Sequence, residues 1–314
     1  MKQPIAIIFA AKGRDSLSKA QQQMIESCAE VEYVTALHTL SDDEIIERCK
    51  KAHYIGLTRR TTKNFHAGMI AALPQLRGIS IYATGTEWID EVALNQHQVA
   101  WRFLPDYSQE SVAEHTLGMM LTLSRRIHLS DRIARGELPR SISLRGWEIR
   151  GKTIGIIGMG RIGQRVAELL QGFGATLIAY DLAPQKINTQ IASVATSMTQ
   201  LLSSADVTIL CASMNRDSPV IIGDAELALL PKHAVLLNPG RAELVANSAV
   251  LAALKKQALA GYAVDDCVFS AEELAQVEHG RILQTGHTAW YSNEAMARGT
   301  ELWIEQLVEL IQND

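Results

Sequence analysis

Short apolar runs alternate with stretches of helical period along almost the whole chain. In the first third the runs are IAIIFAA (5–11), YIGLT (54–58), GISIYAT (78–84) and VAWRFL (99–104). Each is short, rich in β-branched or aromatic residues, and bounded by polar or turn-forming positions, which predicts strands. Between the first two lies SDDEIIERCKKA (41–52), acidic at its start and basic at its end, as a helix dipole favours. SQESVAEHTLGMMLTLSRRIHLSDRIARG (108–136) is helical in period but long for one ordinary globular helix, which points either to a bend or an inter-domain or subunit role, or to a buried core helix. Ser111 with Glu114 three positions on forms a candidate capping box at its start. From Lys152 the alternation restarts with KTIGIIG, ATLIAYD, VTILCA, AVLLNPG and GYAVDD, separated by helical stretches. An amphipathic run, NEAMARGTELWIEQLVELIQ (293–312), closes the pattern and is expected to fold back onto the first part. Strand–helix alternation of this kind specifies α/β architecture with parallel sheets, and two such runs predict two domains.

Composition changes this picture little. At 314 residues the chain can bury two cores, and its 47% hydrophobic and 20% charged residues are those of a globular protein. A net charge of -4 gives no electrostatic footprint for nucleic acid or an anionic membrane. No apolar run approaches the ~20 residues needed to span a bilayer. The opening MKQPIAIIFAAKGRD reads as a strand and turn rather than a leader. Cys28, Cys49, Cys211 and Cys267 lie far apart with no CxxC pair, which fits reduced thiols in a cytoplasmic protein and no metal site.

The segment GKTIGIIGMGRIGQRVAELLQGFGATLIAYD (151–181) carries the first chemistry. Gly158, Gly160 and Gly163 follow the strand-like TIGII and open a helical stretch, with Arg161 and Ile162 in its first turn. The first glycine allows a tight turn, the second lets a pyrophosphate approach the backbone, and the third lets helix and strand pack closely. A helix N-terminus adds free N–H groups and positive dipole. Asp181 ends the next strand, where it can accept bonds from ribose hydroxyls and repel a 2′-phosphate. The cofactor expected is therefore NAD rather than NADP.

In the order TGTEWID, SVAEHTLGMML, GKTIGIIGMGRIG, LLNPGRAELV, AGYAVDD and TGHTAWYS, the chain resembles the D-isomer-specific 2-hydroxyacid dehydrogenases over nearly its full length. The resemblance implies two Rossmann-like or flavodoxin-like domains with parallel sheets, the coenzyme domain (101–288) inserted into the substrate domain (1–100 plus 289–314). It also implies a homodimer built largely from the long helix, and a small 2-keto or 2-hydroxy acid as substrate.

Oxidising a 2-hydroxy acid needs a cation for the carboxylate, a base for the hydroxyl proton and an acid to orient the base. Arg241 in NPGRAEL suits the first, because a guanidinium grips a carboxylate through two parallel hydrogen bonds. His287 in TGHTAW suits the second, because imidazole titrates near working pH. The resemblance places carboxylate-binding backbone donors at Thr84, Gly85 and Thr86, and in LTRRTTKN it makes Arg60 a candidate contact for a second anionic group. Asp265 in VDDCVFSAEEL corresponds to the family's acid beside the nicotinamide. For the acid facing His287, an alignment with Asp266 and Cys267 inserted delivers Glu272, and one without a gap leaves Ser270. With Ser270 there, the alternative reading is an NAD(H)-binding sensor or scaffold with weakened catalysis.

Overall fold

The computed structural model describes residues 3–314. Its elements run, in chain order, β1 (Ile5–Ala10), α1 (Lys19–Glu26), β2 (Glu30–Thr35), α2 (Asp42–Cys49), β3 (Tyr54–Thr58), α3 (Ala67–Ala71), β4 (Gly78–Tyr82), α4 (Glu91–Gln96) and β5 (Ala100–Phe103). There follow α5 (Gln109–Arg125), α6 (Ile127–Ala134), β6 (Thr153–Ile157), α7 (Arg161–Leu170), β7 (Thr176–Tyr180), β8 (Ser193–Val194), α8 (Met198–Ser204) and β9 (Val207–Leu210). The chain ends with α9 (Asp224–Leu229), β10 (Val235–Asn238), α10 (Asn247–Lys255), β11 (Gly261–Val264), α11 (Ala271–Leu274), β12 (Ile282–Gln284) and α12 (Asn293–Gln312).

These elements form two units, Met1–Tyr107 with Asn293–Asp314, and Ser108–Ser292. The boundaries fall a few residues beyond 100 and 288 because side chains there are held by their own unit. Tyr107 packs edge-on against Tyr82 at 5.3 Å and accepts a bond from Arg298 through its carbonyl. Ser292 pairs with Ser111, and Trp290 donates to the His287 carbonyl.

The first unit is a five-stranded sheet in the order β2-β1-β3-β4-β5, with every pair parallel. That is the flavodoxin-like order, reversing direction between β1 and β3. The last helix completes this unit as the amphipathic pattern predicts, burying Ala295, Gly299, Trp303, Ile304 and Leu307. Trp303 is almost fully buried; its indole donates to the Ser80 carbonyl on β4, and the Ser80 hydroxyl donates back to the Trp303 carbonyl. Gly56 on β3 makes room for it, since a Cβ there would stand 2.8 Å from the indole ring. Truncating such a side chain removes about 3–5 kcal/mol of stability.

The second unit is a seven-stranded parallel sheet in the order β12-β11-β10-β9-β6-β7-β8. From β6 the chain winds outward through β7 and β8, then crosses back to β9 and winds the other way. Ligands in such sheets bind beyond the strand ends where the winding reverses, here after β6 and β9. The long helical stretch is bent. Arg126 takes a left-handed conformation (φ 52°) that ends α5 and starts α6. The Ser111–Glu114 capping box is not made: α5 begins at Gln109, and the Ser111 hydroxyl instead pairs with Ser292 at 2.7 Å. Among the described residues no helix is long and apolar enough to cross a membrane.

Candidate active site

The glycine loop lies at the reversal point of the second sheet. Gly158 has φ 92°, a conformation that penalises side chains, and a Cβ on it would meet the backbone of Cys211 and Ala212 after β9 at 2.7–2.8 Å. Gly163 lets α7 pass so close that a Cβ would lie 2.0 Å from the Gly158 carbonyl oxygen. At Gly160 a Cβ would meet nothing, so the space in front of the loop is open. Gly160 caps α7 without a side-chain bond, so the positive end of that helix, with Arg161 and Ile162 in its first turn, lies at the loop.

Asp181, just past β7, fixes the loop from the side. One oxygen accepts from Met159 N–H and the other from Ala183 N–H, both at 2.7 Å. Each oxygen keeps a second lone pair, so the carboxylate can still accept from two hydroxyls.

Arg241 follows β10 in a turn shaped by Asn238. The buried Asn238 amide donates to the Arg241 carbonyl at 2.8 Å and accepts from Gly240 N–H at 3.2 Å. The Gly240 peptide is thereby fixed, and the half-buried Arg241 side chain leaves from the C-terminal end of the strand.

His287 sits past β12 in a left-handed conformation (φ 56°) that a β-carbon disfavours. Asp265, buried at the end of β11, holds that turn in place. It accepts from Thr285 Oγ1 at 2.6 Å, Thr288 N–H at 2.8 Å and Ala289 N–H at 2.7 Å. His115 on α5 reaches the same group, with Nε2 3.2 Å from Thr285 Oγ1 and 3.8 Å from Asp265 Oδ1. Three of the carboxylate's lone-pair sites are engaged within the protein. The imidazole itself is 46% exposed.

The acid nearest the imidazole is Asp266, whose Oδ2 stands 3.9 Å from His287 Nδ1. Neither expected residue stands there. Ser270 caps α11, its hydroxyl accepting from Glu273 N–H while Glu273 returns a bond to the Ser270 amide. Glu272 is exposed, and its carboxylate makes no hydrogen bond or ion pair among the described residues.

In the first unit, the loop after β4 carries Thr84, Gly85 and Thr86. Trp88 donates to the Gly85 carbonyl and the Thr86 hydroxyl to Glu91, which fixes the loop. The backbone N–H groups of these three residues donate to nothing among the described residues. Arg60 is exposed past β3, beside Arg59, which lies over the Trp88 ring at 5.4 Å.

Comparison with known proteins accounts for this arrangement. Residues 117–289, more than half of the chain, match the family model for the NAD binding domain of the D-isomer specific 2-hydroxyacid dehydrogenases. The chain belongs to that family. This dehydrogenase is 28% identical over 291 residues to a glycerate dehydrogenase of Methylorubrum extorquens, covering 90% of this chain and 88% of that one. It is 29% identical over 263 residues to a glyoxylate reductase of Thermofilum pendens, covering 81% and 77%. A solved glyoxylate reductase from Paecilomyes thermophila shares its fold, with a TM-score of 0.85 at 22% identity over 99% of this chain and 96% of that one.

The dehydrogenase is accordingly an NAD-dependent oxidoreductase of 2-hydroxy acids, and the reading as an NAD(H)-binding sensor or scaffold with weakened catalysis is not favoured. Its residues fit the cofactor: the open face of Gly160, the uncapped start of α7 and the spare lone pairs of Asp181 are what a pyrophosphate and a ribose require. Sequence reasoning missed Asn238, Asp266 and the His115–Thr285 pair. The available signals were the second acid of VDD, the threonine two positions before His287, and the histidine of VAEHT.

Proposed function

We propose that this dehydrogenase interconverts a small D-2-hydroxy acid and its 2-keto acid, with His287 as the proton carrier and Arg241 as the carboxylate anchor. Bound NAD⁺ would supply a hydride acceptor for substrate C2, and bound NADH a hydride donor in the reverse direction. The observation that carries the reading is His287 itself: an exposed imidazole on a disfavoured turn that a buried aspartate fixes, at the same sheet end as the glycine loop. Strained, over-determined turns of this kind are kept where a side chain must be presented. His287 takes the hydroxyl proton during oxidation and gives it back during reduction. Arg241 pairs with the carboxylate through two N–H groups and polarises the neighbouring carbonyl oxygen. For the free N–H groups of Thr84, Gly85 and Thr86 we propose carboxylate binding, and for Arg60 a second anionic group of the substrate.

The test is NADH oxidation with glyoxylate, hydroxypyruvate, pyruvate and longer 2-keto acids. Turnover is expected with at least one, and none across the panel would sink the reading. His287→Ala is expected to lower kcat by ~10²–10⁴-fold with NADH binding retained. Arg241→Ala is expected to raise KM for the keto acid as well as lower kcat. The same reading carries a cytoplasmic homodimer joined through α6 and the segment after it, where Ile127 and Leu144 leave apolar side chains exposed. Light scattering at the mass of one chain would exclude the dimer.

A further inference from the structure

Two aspartates stand side by side at the end of β11 and do different work. Asp265 turns inward and is engaged by the backbone of the His287 turn; Asp266 turns outward, toward the imidazole. We propose that Asp266 is the charged partner of His287, in the role that the family resemblance assigns to an acid further along the chain. The inference rests on the proposed role of His287 and names the residue that positions and charges it.

Three observations carry it. Asp266 is the only acid among the described residues recorded within ion-pair distance of His287, at 3.9 Å from Nδ1. Its carboxylate is held in place, because Oδ1 accepts from Cys267 N–H at 2.8 Å and leaves Oδ2 on the histidine side. The competing candidates are otherwise disposed: Ser270 and Glu273 are locked in the reciprocal cap of α11, and the Glu272 carboxylate has no partner among the described residues. A small rotation about the Asp266 Cα–Cβ bond, or one bridging water, turns 3.9 Å into a hydrogen bond to Nδ1. That bond would set the tautomer, leaving Nε2 as the atom that exchanges the substrate proton.

The other titratable groups around the turn are Asp265 beneath it, His115 on α5 and the exposed Cys267 thiol, whose sulfur lies 3.9 Å from the Thr285 carbonyl. Asp265 is bonded to the turn's own N–H groups and supports its backbone. Asp266 is thus the acid placed to act on the ring. Both side chains of the pair are partly exposed, so solvent screens their coupling, and its effect is read in ring orientation and turnover rather than as stability.

A carboxylate beside Nδ1 favours the imidazolium, and keto-acid reduction needs the imidazolium as proton donor. The test reads the ring ¹⁵N shifts of His287 by NMR, which report its tautomer, alongside kcat and KM of keto-acid reduction. Asp266→Asn keeps the Cys267 N–H acceptor and removes the charge. In that variant an amide N–H replaces Oδ2 on the histidine side, so the His287 tautomer is expected to change, with kcat down on the order of tenfold and KM for the keto acid little moved. Asp266→Glu is expected to restore tautomer and kcat. An unchanged tautomer and kcat in Asp266→Asn, or the change appearing in Glu272→Gln instead, overturns the proposal. Full activity in His287→Ala would instead overturn the proton-carrier reading beneath it, so the two failures are told apart.

Discussion

Gly158, Gly160 and Gly163 belong to one motif but differ in what a methyl group would meet. Gly160 has open space before it and an ordinary φ of -70°, so Gly160→Ala is expected to melt within about 0.5 kcal/mol of the unsubstituted protein and yet bind NADH more weakly. Gly163→Ala would press a Cβ onto the Gly158 carbonyl oxygen at 2.0 Å, and it is expected to destabilise the fold itself by ~1–3 kcal/mol. Calorimetry of the two purified variants, with and without NADH, separates a binding defect from a folding one. The glycines and Asp181 were legible in the sequence because their spacing is set by backbone geometry common to all such loops. The histidine's acid was not legible, because which of several carboxylates faces a ring depends on the turn after β11. Two alignments could deliver Glu272 or Ser270, and the fold instead uses Ser270 to cap a helix and brings Asp266 forward.

At the scale of elements, the apolar runs predicted the buried strands β1, β3, β4, β6, β9, β10 and β11. The edge strand β2 escaped because EVEYVT alternates with charge and fully buries only Val34. Edge strands are commonly blunted with charge in this way. The short β8 and β12, also at sheet edges, left too little apolar signal to read. One polar group ties several elements of the second sheet together. Asp206, ahead of β9, accepts from Thr153 N–H of β6 at 2.8 Å and pairs with His233 at 2.8 Å and Lys152 at 3.7 Å. Burial pushes its carboxyl up, but these bonds and charges outweigh it and leave it below the usual carboxylate range. A depressed folded pKa contributes stability that is present above the unfolded value, near 3.9, and lost as pH falls through the folded one. Asp206→Asn should therefore lower the melting temperature at pH 7, and the gap between variant and parent should narrow below about pH 4. A gap independent of pH would mean that the loss is one of packing rather than of charge.

For the whole molecule, the discontinuous first unit makes a prediction about fragments. Residues 108–292 form a sheet with its own core and are expected to fold and bind NADH when expressed alone. Residues 1–107 lack α12, hence Trp303 and the bonds it exchanges with Ser80, and are expected to remain unfolded by circular dichroism until a peptide of residues 293–314 is supplied. The amphipathic final run made this return legible in the sequence. The exact boundaries were not, because Tyr107 and Ser292 are held by individual tertiary contacts that leave no periodic pattern. The same discontinuity bears on how the chain leaves the ribosome. Residues 1–107 emerge first, yet the helix that closes their sheet is translated only after the 185 residues of 108–292, a delay of ~10–40 s at ordinary elongation rates. For that interval the N-terminal third of the nascent chain carries an uncovered apolar sheet face while the middle can already fold. The first unit, begun before the second, is thus closed after it, and until then it is the more exposed of the two to chaperone capture and aggregation.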